Sequence, residues 1–153
     1  MDFAAFVRDL FSNRILLSAM TGWFAAQLGK TILYFILNRE LRLERMVGAG
    51  GMPSSHAATV CALVVSTAYN YSPQSFEFAI AFLLAVVVLH DARGVRLETG
   101  KQAQAIKDMY QVLDTIMDVD MPEVEKLKVL VGHTPSQVFV GGVIGILTGI
   151  FVH

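Results

Sequence analysis

The sequence predicts an all-α membrane protein of about four transmembrane helices with an amphipathic helical loop on the cytoplasmic side. Three observations carry that expectation. Of the 153 residues 54% are hydrophobic and only 16% charged, with a mean hydropathy of +0.54, whereas a soluble domain carries about a quarter charged residues. The apolar residues gather into four runs, 15–37, 52–71, 75–90 and 136–152, each read as a helix in the bilayer. The polar residues concentrate in one long loop, 91–132. The length suits a single domain over 1–153. A net charge of -1 gives no electrostatic case for nucleic acid. The lone Cys61 excludes an internal disulfide and a cysteine-based zinc site, and neither metal nor cofactor is expected.

In chain order, Met1 to Asn13 places Phe3, Phe6, Val7, Leu10 and Phe11 at helical spacing, which predicts a short amphipathic helix on the membrane surface. The stretch lacks the basic region and small-residue cleavage site of a signal peptide. Ile15 to Leu37 is the longest apolar run, interrupted by Gln27 and Lys30. Lys30 either snorkels toward an interface or faces the protein interior as a phosphate ligand. Asn38 to Gly51 is a polar loop with Arg39, Arg42 and Arg45 against Glu40 and Glu44.

Met52 to Tyr71 forms the second span, and Asn70-Tyr71-Ser72-Pro73 a tight turn into the third. Both are at the short end for a bilayer, which calls for embedded flanks, re-entrant helices or a locally thin membrane. In the long loop Ala103, Ile106, Tyr110, Leu113 and Met117 recur at steps of three and four, the stripe of an amphipathic helix covering the membrane domain or lying on lipid. Asp120-Met121-Pro122 reads as a start for a helix over Glu123 to Val131. The last run carries Gly141, Gly142, Gly145 and Gly149, small residues that let membrane helices pack closely within the chain or between two copies.

With four spans, the loop before the second and the loop after the third share one side of the membrane. That side holds Arg39, Arg42, Arg45, Arg93, Arg96, Lys101, Lys107, Lys126 and Lys128, the other only Arg8 and Arg14. The positive-inside rule makes the basic side cytoplasmic. His56 then starts the second span, His90 and Asp91 end the third, and His133 precedes the fourth, all at one cytoplasmic level. Gly50-Gly51-Met52-Pro53-Ser54-Ser55-His56 reads as a polar loop feeding a helix N-terminus, where unpaired N–H groups and the helix dipole favour a phosphate. Gly132-His133-Thr134-Pro135-Ser136-Gln137 repeats the device, with Thr134 as N-cap, Pro135 in the first helical position and Gln137 reaching back.

Pro53-Ser54-Ser55-His56, with His133-Thr134-Pro135-Ser136-Gln137-Val138 and Gly141, resembles two signature motifs of the type 2 phosphatidic acid phosphatases and vanadium haloperoxidases. Together with Asp91-Ala92-Arg93-Gly94-Val95-Arg96 and Gly100-Lys101-Gln102-Ala103, the pattern is similar to the divergent branch of that superfamily, small bacterial and plastid membrane proteins of this length. The resemblance implies a metal-independent lipid phosphate phosphatase in a bacterial inner membrane, its site facing the cytoplasm. It makes His133 the nucleophile that forms a phosphohistidine and His56 the acid that protonates the leaving alkoxide. Lys30, Arg96, Lys101, Ser54, Ser55 and Gly51 become the candidate phosphate ligands; the two serines serve equally as helix caps.

Two departures stand out. Gln137 occupies the position where the main branch carries an aspartate to orient the nucleophile, so either Asp91 supplies the carboxylate or turnover is weakened. Leu127 stands where the main branch has an arginine, and Arg96 is its replacement here, with Lys101 second. The implied substrates are phosphatidic acid, phosphatidylglycerophosphate and isoprenoid phosphates. The alternatives are a lipid-phosphate binding or translocating protein without turnover, and a structural membrane subunit. Four spans are few to enclose a pocket, so a homodimer is the expected assembly.

Overall fold

Six α-helices make up the regular structure of the computed structural model, which describes residues 2–41, 46, 51–93, 95–117 and 135–153, the side chains at 93, 95–99, 111 and 114–117 excepted. They are α1 (Phe3–Ser12), α2 (Arg14–Asn38), α3 (Ser55–Tyr71), α4 (Phe76–Arg93), α5 (Val95–Met117) and α6 (Pro135–Phe151), and no strand occurs among the described residues. The all-α expectation holds, and α2, α3, α4 and α6 coincide with the four apolar runs to within a few residues. The amphipathic stripe of the long loop is α5. The helix expected over Glu123 to Val131 lies outside the described residues.

Local chemistry sets the helix ends. Asp2 caps α1 by accepting from Ala4 N at 3.2 Å, and Asn13 caps α2 by accepting from Leu16 N at 3.0 Å. Arg39 closes α2 in the left-handed region, φ 56°, its N–H donating to Phe35 O at 2.8 Å. Pro135 takes the first position of α6, as its fixed φ favours.

The expectation that each apolar run crosses a bilayer is corrected: among the described residues no helix is long and apolar enough to cross a membrane. The reasons differ by helix. With 17 residues each, α3 and α6 reach only about 25 Å at 1.5 Å per residue, against a hydrocarbon core of about 30 Å. The 18 residues of α4 include Glu77, Asp91 and Arg93. The 25 residues of α2 are long enough but are diluted by Gln27, Lys30 and several small residues.

Helix α3 is the centre of the bundle, packing on α2, α4 and α6. Among the described residues the buried apolar side chains are alanines and Val60, and the largest fully buried side chains are Ser18, Ser54 and Ser66. Large apolar residues point outward instead, among them Phe24, Ile36, Leu83, Val87 and Phe139. Small residues allow close approach. A Cβ on Gly145 would run into the carbonyl oxygen of Ala58, and one on Gly149 would lie 2.6 Å from Val65 Cβ. Gly141, Gly145 and Gly149 are therefore used inside the chain, against α3.

That succession of contacts, Gly141 on Ser54, Gly145 on Ala58 and Gly149 on Val65, makes α6 parallel to α3. Helix α2 is antiparallel to it, since Gly29 meets Pro53 and Gly22 meets Ala58 and Ala62. The short turn between α3 and α4 returns α4 to the end where α3 begins. At the opposite end Arg14 Nη1 donates to His153 O at 3.0 Å, and Tyr69 stacks on His153 with ring centroids 4.1 Å apart.

Candidate functional site

Residues 51–54 form a short entry loop into α3. Gly51 has φ +85°, the left-handed region that favours glycine. The Met52–Pro53 peptide is cis, and Pro53 is buried against Gly29, whose added Cβ would lie 3.7 Å from the proline ring. Ser54 is fully buried and caps α3, its Oγ accepting from Ala57 N at 3.4 Å. The serine thus serves as a cap, and so does not donate its hydroxyl to this contact.

The central observation is a backbone bond: Ser54 N–H donates to Gln137 O at 3.0 Å. It ties the loop before α3 to the first turn of α6, joining two stretches more than 80 residues apart in sequence. Gly141, one turn further along α6, makes the approach possible, because a Cβ there would collide with the Ser54 carbonyl oxygen. The two parallel helices therefore present their N-termini side by side, and their dipoles add at one place.

Helix α2 contributes a cation to the same end. Lys30 is 4% exposed, which resolves its two sequence-based readings in favour of the interior. Its Nζ donates to Gln27 Oε1 at 2.8 Å, and its stem runs beneath Gly51, with Cγ and Cδ 3.5 Å from where a Cβ would sit. Ser55, in the first turn of α3, is buried, and its carbonyl accepts from Thr59 Oγ1 at 2.8 Å. His56 follows, half-buried, with Nδ1 shielded from solvent.

Lys30, Gly51, Ser54, Ser55, His56 and the Gln137 backbone thus gather at one end of the bundle. Asp91, late in α4, and Lys101, in α5, are both exposed; the α3–α4 turn brings Asp91 to the same end. Arg96 belongs to α5, but its side chain lies outside the described residues, as do His133, Thr134, Arg42, Arg45 and Leu127 in full. Among the described residues no group of three His, Cys, Asp or Glu side chains is placed to hold a metal ion. Gln27 is the site residue that sequence reasoning passed over, noting it only as an interruption of an apolar run. Its signal was the spacing of three from Lys30 on a stripe of small and polar residues.

Comparison with known proteins gives a consistent picture. The pattern of the Divergent PAP2 family matches residues 11–148, which spans the entry loop, α2 through α5 and most of α6. An uncharacterized membrane protein of Bacillus subtilis (strain 168), YuiD, is 37% identical over 147 residues, covering 91% of this chain and 93% of the relative. No solved structure matches the chain. With a family pattern running through almost the whole length and a relative of this identity and coverage, the chain belongs to the Divergent PAP2 family.

Proposed function

We propose that the protein is a membrane-embedded phosphatase for lipid phosphates, its site at the bundle end formed by the starts of α3 and α6. The observation that carries this reading is the Ser54 N–H to Gln137 O bond beside buried Lys30: it brings two helix N-termini and an interior cation to one place, the chemistry an incoming phosphate requires. Membrane embedding is supported by the reversed distribution of residues, with alanine, glycine and serine inside and large apolar side chains outside, and by the relative's being named a membrane protein. Helices α2, α4 and α6, which carry many of the outward-facing large side chains, then face the lipid. By the distribution of basic residues, the site faces the cytoplasm.

In this mechanism a ring nitrogen of His133 attacks phosphorus and the bond from phosphorus to the lipid oxygen breaks. His56 gives its proton to the departing alkoxide. Water, losing a proton to the now neutral His56, then attacks the phosphohistidine, releasing inorganic phosphate and restoring both histidines. Lys30, Arg96 and Lys101 neutralise charge spreading over the phosphoryl oxygens, and Asp91 orients the nucleophile. A lipid substrate follows from place, since a headgroup can enter the bundle end while the acyl chains stay in the bilayer.

The test is phosphate release by the purified protein from phosphatidic acid, phosphatidylglycerophosphate and isoprenoid phosphates, with chelator present. His133→Ala and His56→Ala should each reduce release by about a thousandfold or more. Undiminished release in His133→Ala would overturn the phosphohistidine reading. The mass of the same preparation in mild detergent reports on a homodimer, and full activity as a monomer would refute that assembly. A second reading, a lipid-phosphate binding or translocating protein, is favoured by Gln137: a neutral amide stands where the main branch has a carboxylate, and its backbone oxygen is engaged in the α3–α6 contact. Tight lipid-phosphate binding without release by folded protein would select it.

A further inference from the structure

At the end of the bundle opposite Lys30, an open cavity of about 600 Å³ lies where the junction of α1 and α2 meets the last turn of α3. Its polar lining comes from Asp9, Ser12, Asn13 and Arg14 at the junction and from Asn70 and Tyr71 at the end of α3. None of these residues belongs to the proposed phosphatase site. Arg14 is held in orientation, its Nη1 donating to His153 O at 3.0 Å. Asp9 stands in the last turn of α1, where the helix dipole disfavours an anion, so helix stability does not account for it. Its contact with Arg8, at 3.7 Å, joins two well-exposed side chains and is weak.

The bonds already made decide what each polar group offers a ligand. Asn13 Oδ1 accepts from Leu16 N at 3.0 Å, so its amide offers donors. Asn70 is the reverse: its Nδ2 donates to Ser66 O at 2.8 Å, and it offers an acceptor, Oδ1. Ser12 Oγ gives its proton to Arg8 O at 2.8 Å and offers lone pairs. Arg14 and Asn13 thus supply donors for a phosphodiester, and Asp9, Ser12 and Asn70 supply acceptors for an ammonium that carries N–H groups. The surroundings suit a lipid. Leu17, Met20 and Phe24, at steps of three and four, form an exposed apolar stripe that starts within one turn of Arg14, and Tyr69, Tyr71 and Phe11 are exposed at the same end, as aromatic side chains are at headgroup level. We infer that this cavity binds the headgroup of a zwitterionic phospholipid with a primary ammonium, phosphatidylethanolamine in kind, whose acyl chains run along α2. A net anionic lipid meets the Asp9 carboxylate, and a quaternary ammonium has no N–H for Ser12 and Asn70. The inference rests on the membrane embedding proposed above and does not require phosphatase activity.

The test is thermal melting of the whole chain in mild detergent, titrated with short-chain phosphatidylethanolamine, phosphatidylglycerol and phosphatidylcholine, and with water-soluble glycerophosphoethanolamine. The melting temperature should rise saturably with phosphatidylethanolamine, at an apparent affinity about tenfold tighter than for the other two lipids. Asp9→Asn should remove that preference, and Arg14→Gln should weaken binding of all three lipids by about tenfold. Arg8→Gln changes an exposed charge next to Asp9 that does not line the cavity, and should leave the preference intact. Without lipid, Asp9→Asn should melt no lower than the wild type, because it removes an anion from the end of α1. A preference that survives Asp9→Asn, or is lost equally in Arg8→Gln, would overturn the site, as would an equal response to the three lipids or none to any. A lower lipid-free melting temperature in Asp9→Asn would overturn it in favour of a structural role for the carboxylate. Glycerophosphoethanolamine binding as tightly as the lipid would overturn the lipid source in favour of a soluble headgroup. Lipid binding in a protein that releases no phosphate would sink the phosphatase reading and support this one.

Discussion

At the scale of single residues, two glycines near Lys30 show how backbone conformation and space decide separately. Gly51 has φ +85°, and among the described residues a methyl there would meet only the Lys30 stem, at an ordinary contact distance of 3.5 Å. The cost of Gly51→Ala is therefore conformational, about 1–2 kcal/mol for an L-residue held in the left-handed region. Gly29 lies inside α2, where among the described residues a methyl meets only the Pro53 ring, at 3.7 Å, so Gly29→Ala should gain up to about 1 kcal/mol of helix propensity. Thermal melting in mild detergent should move down for the first variant and stay level or rise for the second; the opposite order would show that the entry loop is not held as described. Lys30 itself was readable in part. Ser18, Ala19, Gly22, Ala26, Gln27, Lys30 and Thr31 are the buried residues of α2, a stripe at steps of three and four made of small and polar side chains. In a helix whose large apolar residues face outward, that stripe is the inner face, and the lysine on it points inward. Hydropathy summed over a run cannot show this, because it discards the angle at which each residue leaves the helix.

At the scale of elements, the proposed site depends on the pairing of α3 with α6. Gly141 and Gly145 abut the carbonyl oxygens of Ser54 and Ala58, whereas Gly142 faces the Cys61 sulfur at a comfortable 3.6 Å. Backbone cannot yield as a flexible side chain can, so Gly141→Ala and Gly145→Ala should each force the helices apart at a cost of about 1–3 kcal/mol or more. Gly142→Ala should be nearly neutral. Because Gly141 sits against the residue that bonds to Gln137, its substitution should also reduce lipid-phosphate binding, measured by titration alongside melting. Equal behaviour of Gly141→Ala and Gly142→Ala in both measurements would mean the helices do not approach as seen. The helices themselves were legible from the apolar runs and from Ser54 and Pro135, which lie where their chemistry suits a helix start, whereas the caps Asp2 and Asn13 come from the structure. The four-residue spacing of Gly141, Gly145 and Gly149 announced a close contact. It could not name the partner, because a small-residue face fits a helix of the same chain and one of a second copy equally well; the choice depends on the complementary backbone of α3, far away in sequence.

At the scale of the whole molecule, the short helices set a condition on the membrane that holds them. If α3 and α6 are embedded over their full 17 residues, they cover about 25 Å, roughly 5 Å less than an average hydrocarbon core. A bilayer can thin around such a bundle at a modest cost per ångström of mismatch, and that cost grows with acyl-chain length. The exposed apolar side chains of α2, α4 and α6, including Phe24, Leu83 and Phe139, would in that case supply the surface that lipid covers. Helix α1, with Phe3 and Phe11 well exposed and no buried residue, can lie at the interface and draw the headgroups inward at the end where Arg14 and His153 meet. The thermal stability of the protein reconstituted in lipids of stepped acyl length should therefore be highest in short-chain bilayers and fall steadily as the chains lengthen. Phosphate release should follow the same order, because the proposed site lies at the mouths of α3 and α6, and a thick bilayer would submerge the helix ends proposed to receive the headgroup. Maximal stability and turnover in long-chain lipids would mean that the bundle reaches further into the membrane than α3 and α6 alone extend.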